Sequence, residues 1–250
     1  MDKMQIVQDA GYDYVELPVA VVKAESSDAE FDAVREQLGA FEIVPEAWNC
    51  LLPGDMRVAG PEVDLYRTER YLRTAFQRIE ELGGEVVVFG SGGARKIPDD
   101  FPKEEAREQL IEFVTLAGQI AGPHGITIAI EPLRTKDTNT INSVLEGLEI
   151  VRAVDHPFVK LLADLFHMDE DQEPLDHIIE AGSEIVHVHT ADTGRLYPGS
   201  GSYPNREFFE ALETVGYNDR MSVECILKDA PTECAKALEF LRQLDAELLA

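Results

Sequence analysis

Residues 126–164 read ITIAIEPLRTKDTNTINSVLEGLEIVRAVDHPFVKLLAD, and the pattern of this segment indicates the class of fold. An apolar run of strand length opens it, a segment with helical periodicity follows, and a second apolar run closes it. Two buried strands joined by one helix form a parallel βαβ unit. The two predicted strands end in Glu131 and Asp164, so the unit also places two carboxylates at one edge of a sheet.

The same alternation extends along the whole chain. Apolar runs of strand length occupy residues 12–18, 42–51, 85–90, 126–131, 159–164, 185–191 and 221–226. Segments with helical periodicity fall near 2–9, 28–39, 61–82, 103–122, 141–153, 174–181, 205–214 and 231–247. Strict alternation over 250 residues, with no linker, predicts an α/β protein with one TIM (β/α)8-type barrel domain spanning residues 1–250.

The number of predicted strands does not match the number of helices. Seven strand segments stand against eight helical segments, whereas a closed barrel of this type has eight strands. Because the first segment, 2–9, is helical, we expect the first strand to be lacking and the barrel to be open between its first and last strands. An open edge exposes unpaired backbone groups and favours association, so homo-oligomer formation is compatible with this prediction.

Four residues of metal-ligand type end the late strands: Glu131, Asp164, His189 and Glu224. The C-terminal ends of barrel strands converge on one face, and the alternation of side chains along a strand lets all four point inward. Three carboxylates and one imidazole form a hard, oxygen-rich set that suits Mn(II), Mg(II) or Co(II). The pattern therefore predicts a metalloenzyme with one divalent ion, for which we take manganese first and magnesium or cobalt as the alternatives.

The composition excludes several other classes of protein. A formal net charge of −26, from 48 acidic against 22 basic residues, repels a phosphate backbone, so a nucleic acid is not expected as partner. No apolar run is long enough for a membrane span. The N-terminus lacks the basic and apolar regions of a secretory signal, which favours a cytoplasmic protein.

Four stretches of this chain resemble a known family. IEPLRTKDTNTINS (130–143), LLADLFHMDED (161–171), HVHTADTGRLYPGSG (187–201) and SVEC (222–225) are similar to the signature stretches of xylose-isomerase-like TIM barrels, and especially of ketose 3-epimerases of the tagatose/psicose type. The resemblance extends from about residue 4 to the C-terminus. It implies that Glu131, Asp164, His189 and Glu224 hold one divalent ion and that the substrate is a small sugar.

The resemblance also implies roles for three substrate-binding residues. His167 would hydrogen-bond the substrate near the metal, and Arg195 would hold a substrate hydroxyl. Asp137 keeps a carboxylate where the family uses one beside the ketose carbonyl. The epimerases typically read Asn-Arg-aromatic-Glu after IEPL, whereas this chain reads Arg134, Thr135, Lys136 and Asp137, a departure that concerns the identity of the sugar.

Epimerisation beside a ketone requires removal of a weakly acidic proton and stabilisation of the resulting enediolate. A divalent ion stabilises that charge, and two carboxylates on opposite faces remove and return the proton. We therefore expect Glu131 and Glu224 to act as the acid and base. Two other strands separate the strands that carry them, so the two glutamates can flank a sugar. Glu16 and Trp48, at the ends of early strands, are further candidates for substrate contact, against a structural carboxylate and simple core packing.

Three alternatives remain at this stage. A metal-dependent lyase on the same scaffold, such as a dehydratase of a keto-inositol or a dehydroshikimate-type acid, would use the ion to stabilise an enolate and then expel a β-hydroxyl. An endonuclease IV-like hydrolase needs a histidine-rich three-metal cluster, and the chain has only six histidines. An inactive subunit would fit the absent strand, but the intact ligand set argues against it.

Overall fold

The computed structural model describes residues 2–248, and its centre is a single sheet of seven strands. The strands are β1 Tyr14–Pro18, β2 Val44–Asn49, β3 Val86–Phe89, β4 Thr127–Ile130, β5 Val159–Asp164, β6 Ile185–Thr190 and β7 Met221–Val223. They follow one another in sequence order and every neighbouring pair is parallel. The structure confirms the predicted TIM-type barrel and all seven predicted strands.

Helices connect the strands and surround the sheet. They are α1 Asp2–Ala10, α2 Asp28–Leu38, α3 Leu65–Glu81, α4 Gly92–Arg95, α5 Lys103–Ala121, α6 Val144–Val154, α7 Leu165–Glu170, α8 Asp176–Ala181, α9 Asn205–Thr214 and α10 Ala230–Leu248. Eight of them match the predicted helices, whereas the short α4 and α7 were not predicted. None of the described helices is both long and apolar enough to cross a membrane.

Two apolar layers hold the barrel together. The layer between sheet and helices is large and contains most of the buried aromatic and aliphatic side chains. The layer inside the barrel is small and consists of Ala47, Val86, Val88, Ala129 and Leu162. Small side chains suit the narrow interior of a seven-stranded barrel, and polar groups occupy the positions above them, at the C-terminal ends of the strands.

The barrel is open between β1 and β7, as the sequence predicts. Within residues 2–248 these two strands have no backbone pairing with each other. A cavity of about 1250 Å3 lies there, lined mainly by apolar side chains of both strands, α1 and α10. We call this opening the seam. Side chains cross the seam, for example where the Tyr14 hydroxyl lies 2.8 Å from Ser222 Oγ.

Candidate metal centre

The structure brings together the four predicted ligand residues. Glu131 follows β4, Asp164 ends β5, His189 lies near the end of β6 and Glu224 follows β7. One possible ligand atom from each lies within 4.8 Å of all the others. His189 Nδ1 is 3.0 Å from Glu224 Oε2, 3.3 Å from Glu131 Oε1 and 3.7 Å from Asp164 Oδ2. We call this group the four-ligand centre.

The centre is closed on one side and open on the other. Glu131, Asp164 and His189 are buried, whereas the Glu224 side chain is 35% exposed. Gly90, just after β3, makes the room that the Glu131 side chain occupies. A Cβ atom added at Gly90 would lie 1.7 Å from Glu131 Oε2. An incoming small molecule therefore reaches the centre from the side of Glu224.

The donor atoms of the centre fit a divalent cation. Asp164 Oδ2 and His189 Nδ1 are buried and have no hydrogen-bond partner, an arrangement that is costly unless another group compensates it. Burial alone would lower the pKa of His189, but Glu16, Asp164 and Glu131 raise this pKa well above its usual value. The pocket thus stabilises positive charge, and its three carboxylates and one imidazole suit Mn(II), Mg(II) or Co(II).

The carboxylates respond to the same surroundings in opposite directions. Burial raises the pKa of Glu131, and the neighbouring Glu224 and Asp164 add to this effect. Burial also acts to raise the pKa of Asp164, but His189, His167 and Arg195 outweigh it and lower that pKa. The two acids therefore differ in proton affinity although they share one pocket.

His167 lies beside the centre with a defined orientation. Its Nε2 is 3.7 Å from Asp164 Oδ2 and 3.9 Å from Glu131 Oε1. Its Nδ1 accepts a hydrogen bond from the Arg134 backbone N–H at 3.3 Å. Because Nδ1 accepts, a neutral His167 carries its proton on Nε2 and can donate it to a ligand at the centre.

Arg195 lies beside Glu224 at the exposed side of the centre. Its guanidinium lies 2.7 Å from Glu224 Oε2 and 4.5 Å from the centroid of the Phe166 ring. The residue has a φ of 60°, which turns the chain sharply after β6. A planar guanidinium beside a carboxylate and above an aromatic ring is well placed to bind a hydroxyl or carbonyl oxygen.

Asp137 lies farther from the centre than His167, on the side of His167 that faces away from the four ligands. Its Oδ2 is 3.9 Å from His167 Nδ1 and 2.8 Å from Arg134 Nε. Arg134 Nη1 also binds Glu170, and its guanidinium lies 4.7 Å from the Phe166 ring centroid. These contacts connect the loop after β4 to α7. Neither the strand pattern nor the helix pattern of the sequence indicated this connection.

Two of the predicted substrate contacts lie away from the pocket. Trp48 is fully buried in the layer between sheet and helices, where its indole packs closely against Gly84. A substrate therefore does not reach it. Its neighbour Ala47 faces the barrel interior instead. The Glu16 side chain is 7% exposed and faces His187 and His189, beneath the centre rather than at its mouth.

The fold and the four-ligand centre together define a TIM-barrel protein with a metal-type site at the C-terminal ends of its strands. The chain belongs to the xylose isomerase-like TIM barrel family, which residues 4–244 match.

Curated relatives include sugar epimerases. The chain is 29% identical over 176 residues to a D-psicose 3-epimerase of Ruminiclostridium cellulolyticum, a match that covers 68% of this chain and 59% of that protein. It is 26% identical over 258 residues to an L-ribulose 3-epimerase of Methylomonas sp., which covers 94% and 87%. The chain thus spans less than two thirds of the first of these relatives and most of the second.

Among solved structures, a D-psicose 3-epimerase with D-tagatose from Clostridium cellulolyticum H10 has a TM-score of 0.82 at 22% identity, covering 96% of this chain and 92% of that one. An AP endonuclease of family 2 from Brucella melitensis has a TM-score of 0.76 at 20% identity, covering 97% and 92%. At these identities the two likenesses show the fold alone.

Proposed function

We propose that this protein is a divalent-metal-dependent isomerase that epimerises a small ketose. The observation that carries the proposal is the four-ligand centre, in which Glu131, Asp164, His189 and Glu224 converge at one end of the barrel. The names of the relatives, D-psicose 3-epimerase and L-ribulose 3-epimerase, support the choice of substrate class. Mn(II) is the proposed ion, with Mg(II) and Co(II) as alternatives.

The positions of the two glutamates support an acid–base role. Glu131 and Glu224 directly follow β4 and β7, and the two strands between β4 and β7 separate their backbones. Their oxygens nevertheless lie 3.3 Å and 3.0 Å from the same atom, His189 Nδ1. A ketose carbon placed at the centre is therefore within reach of both, so that one glutamate removes the proton beside the carbonyl and the other returns it.

The bound ion would supply a Lewis acid that stabilises negative charge on the sugar oxygens. His167 supplies a hydrogen-bond donor at Nε2, directed toward the same place. Arg195 orients the substrate through a hydroxyl and keeps Glu224 in position. Asp137 is proposed to contact the substrate from the loop after β4, beyond His167.

The charges around the pocket support an unphosphorylated sugar. Arg195 is already paired with Glu224, and Arg134 is already paired with Asp137 and Glu170. Carboxylates already compensate the charge of both guanidinium groups, whereas the binding of a phosphate group usually requires at least one uncompensated cation.

The test is turnover of free ketoses in deuterium oxide by protein that has been stripped with a chelator and reloaded with Mn(II). We expect a C3 epimer that carries deuterium at the epimerised carbon. Glu131→Gln and Glu224→Gln should each abolish turnover, whereas Glu149→Gln, an exposed glutamate on α6, should not. Turnover without label would indicate hydride transfer, and a product that absorbs as a conjugated enone would indicate a lyase instead.

A further inference from the structure

A second polar group lies directly beneath the four-ligand centre. It consists of Glu16 from β1, His187 and His189 from β6 and Ser222 from β7. Glu16 Oε2 accepts a hydrogen bond from Ser222 Oγ at 2.5 Å, and His187 Nε2 lies 2.8 Å from the same oxygen. His189 Nε2 is 3.0 Å from Glu16 Oε1 and 3.2 Å from Oε2. These contacts join β1 to β6 and β7 across the seam.

The direction of each hydrogen bond in this group can be assigned. Ser222 has a single hydroxyl proton, which it donates to Glu16, so the Tyr14 hydroxyl at 2.8 Å must donate to Ser222. His187 and His189 both present Nε2 to a carboxylate, and a carboxylate only accepts. Both Nε2 atoms therefore carry a proton, and Glu16 receives three donors in total.

This assignment of protons determines which nitrogen of His189 has a free lone pair. With its proton on Nε2, a neutral His189 has its lone pair on Nδ1. Nδ1 is the atom that lies within 3.7 Å of Glu131, Asp164 and Glu224. If Nδ1 carried the proton instead, the imidazole could not serve as a metal ligand.

We propose that Glu16 is a positioning residue for the metal centre. It fixes the tautomer and the ring orientation of His189, and it does so from the far side of the seam, without touching ion or substrate. A carboxylate behind a ligand histidine also makes the imidazole more basic and a better ligand. This inference rests on the proposed metal site, and it gives Glu16 a role other than the predicted substrate contact.

The first test is the affinity for Mn(II) alone, measured by isothermal titration and by the electron paramagnetic resonance signal of free Mn(II). Glu16→Gln keeps the size of the side chain but removes its charge. We expect the dissociation constant for Mn(II) to rise about 10- to 100-fold, the range found when a carboxylate behind a ligand histidine is lost. Glu149→Gln is the matched control and should leave the constant unchanged.

Thermal melting without metal separates positioning from a structural role. A residue that only supports the fold would lower the melting temperature of Glu16→Gln and leave its Mn(II) affinity, measured well below melting, as in the parent protein. If Glu16→Gln does not fold, Ser222→Ala replaces it, because this variant keeps the carboxylate and removes one of its donors. Ser222→Ala should then raise the dissociation constant several-fold, about the effect of one lost hydrogen bond.

Asp164→Ala distinguishes the two levels of the proposal. If Asp164→Ala binds Mn(II) as tightly as the parent protein, the metal site itself is wrong. If Asp164→Ala loses Mn(II) binding but folded Glu16→Gln, or Ser222→Ala in its place, keeps the parent affinity, the metal site stands and the positioning role of Glu16 is overturned.

Discussion

The substitution Gly90→Ala should remove metal binding without disturbing the fold. The new Cβ would lie 1.7 Å from Glu131 Oε2 and 2.9 Å from Glu131 Cδ, so the whole carboxylate must move. Ordinary contacts of a Cβ atom begin at 3.4 Å, so the oxygen must move by about 1.7 Å. Metal–ligand distances tolerate only about 0.2 Å, so Glu131 would leave any coordination sphere that includes it.

The fold should survive because the clash involves the end of a flexible side chain and Gly90 does not have a positive φ. Moving one side chain off its preferred rotamer costs about 1 kcal/mol, a small part of domain stability. The assay is Mn(II) titration together with thermal melting, with Gly93→Ala in α4 as control, since a Cβ there meets nothing within 4 Å. Parent-like Mn(II) affinity in folded Gly90→Ala would refute this reasoning.

Three further predictions address the pocket, the seam and the surface. Arg195→Ala should raise KM about 10-fold or more and lower kcat less, because Arg195 orients substrate and moves no proton. Steady-state kinetics on the Mn(II)-loaded protein test this, and a collapse of kcat at unchanged KM would contradict it. An appended N-terminal segment of about eight strand-forming residues should fill the seam and raise the melting temperature, whereas a glycine-serine segment of equal length should not; equal melting temperatures for the two would contradict it. Raising KCl to about 1 M should also raise the melting temperature, because a net charge of −26 repels itself and salt screens that repulsion; sucrose at equal osmolarity is the control, and an equal gain in sucrose would argue against charge.

The sequence predicted the convergence of four residues of metal-ligand type for a specific physical reason. Glu131, Asp164, His189 and Glu224 each end a buried strand, and parallel strands bring their ends to one face whatever the details of packing. Local periodicity alone therefore placed four distant residues together. The same reasoning predicted the open barrel, because an unequal number of strands and helices is visible without any long-range contact.

Two candidate substrate contacts lie elsewhere for equally specific reasons. Trp48 was a candidate with core packing as the alternative, and it packs in the core. A shift of one residue in the phase of β2 turns every side chain to the opposite face, and Ala47 takes the inward position. Glu16 was a candidate for substrate contact, with a structural carboxylate as the alternative. Its partner His189 is 173 positions away, and no local pattern reveals that contact. The role of Gly90 beside Glu131 was not predicted, because a glycine that leaves room for a distant side chain carries no local signal of it.

The seam also has a topological consequence. Helices run opposite to the strands in this alternation, so α1 starts at the end of the barrel that carries the metal centre and α10 finishes at the other end. A strand in the seam would run from the far end to the centre, which is the path from Leu248 to Asp2. A strand that fills the seam must therefore enter beside the end of α10 and leave beside the start of α1, and it would run parallel to both β1 and β7, so that it could pair with both edges.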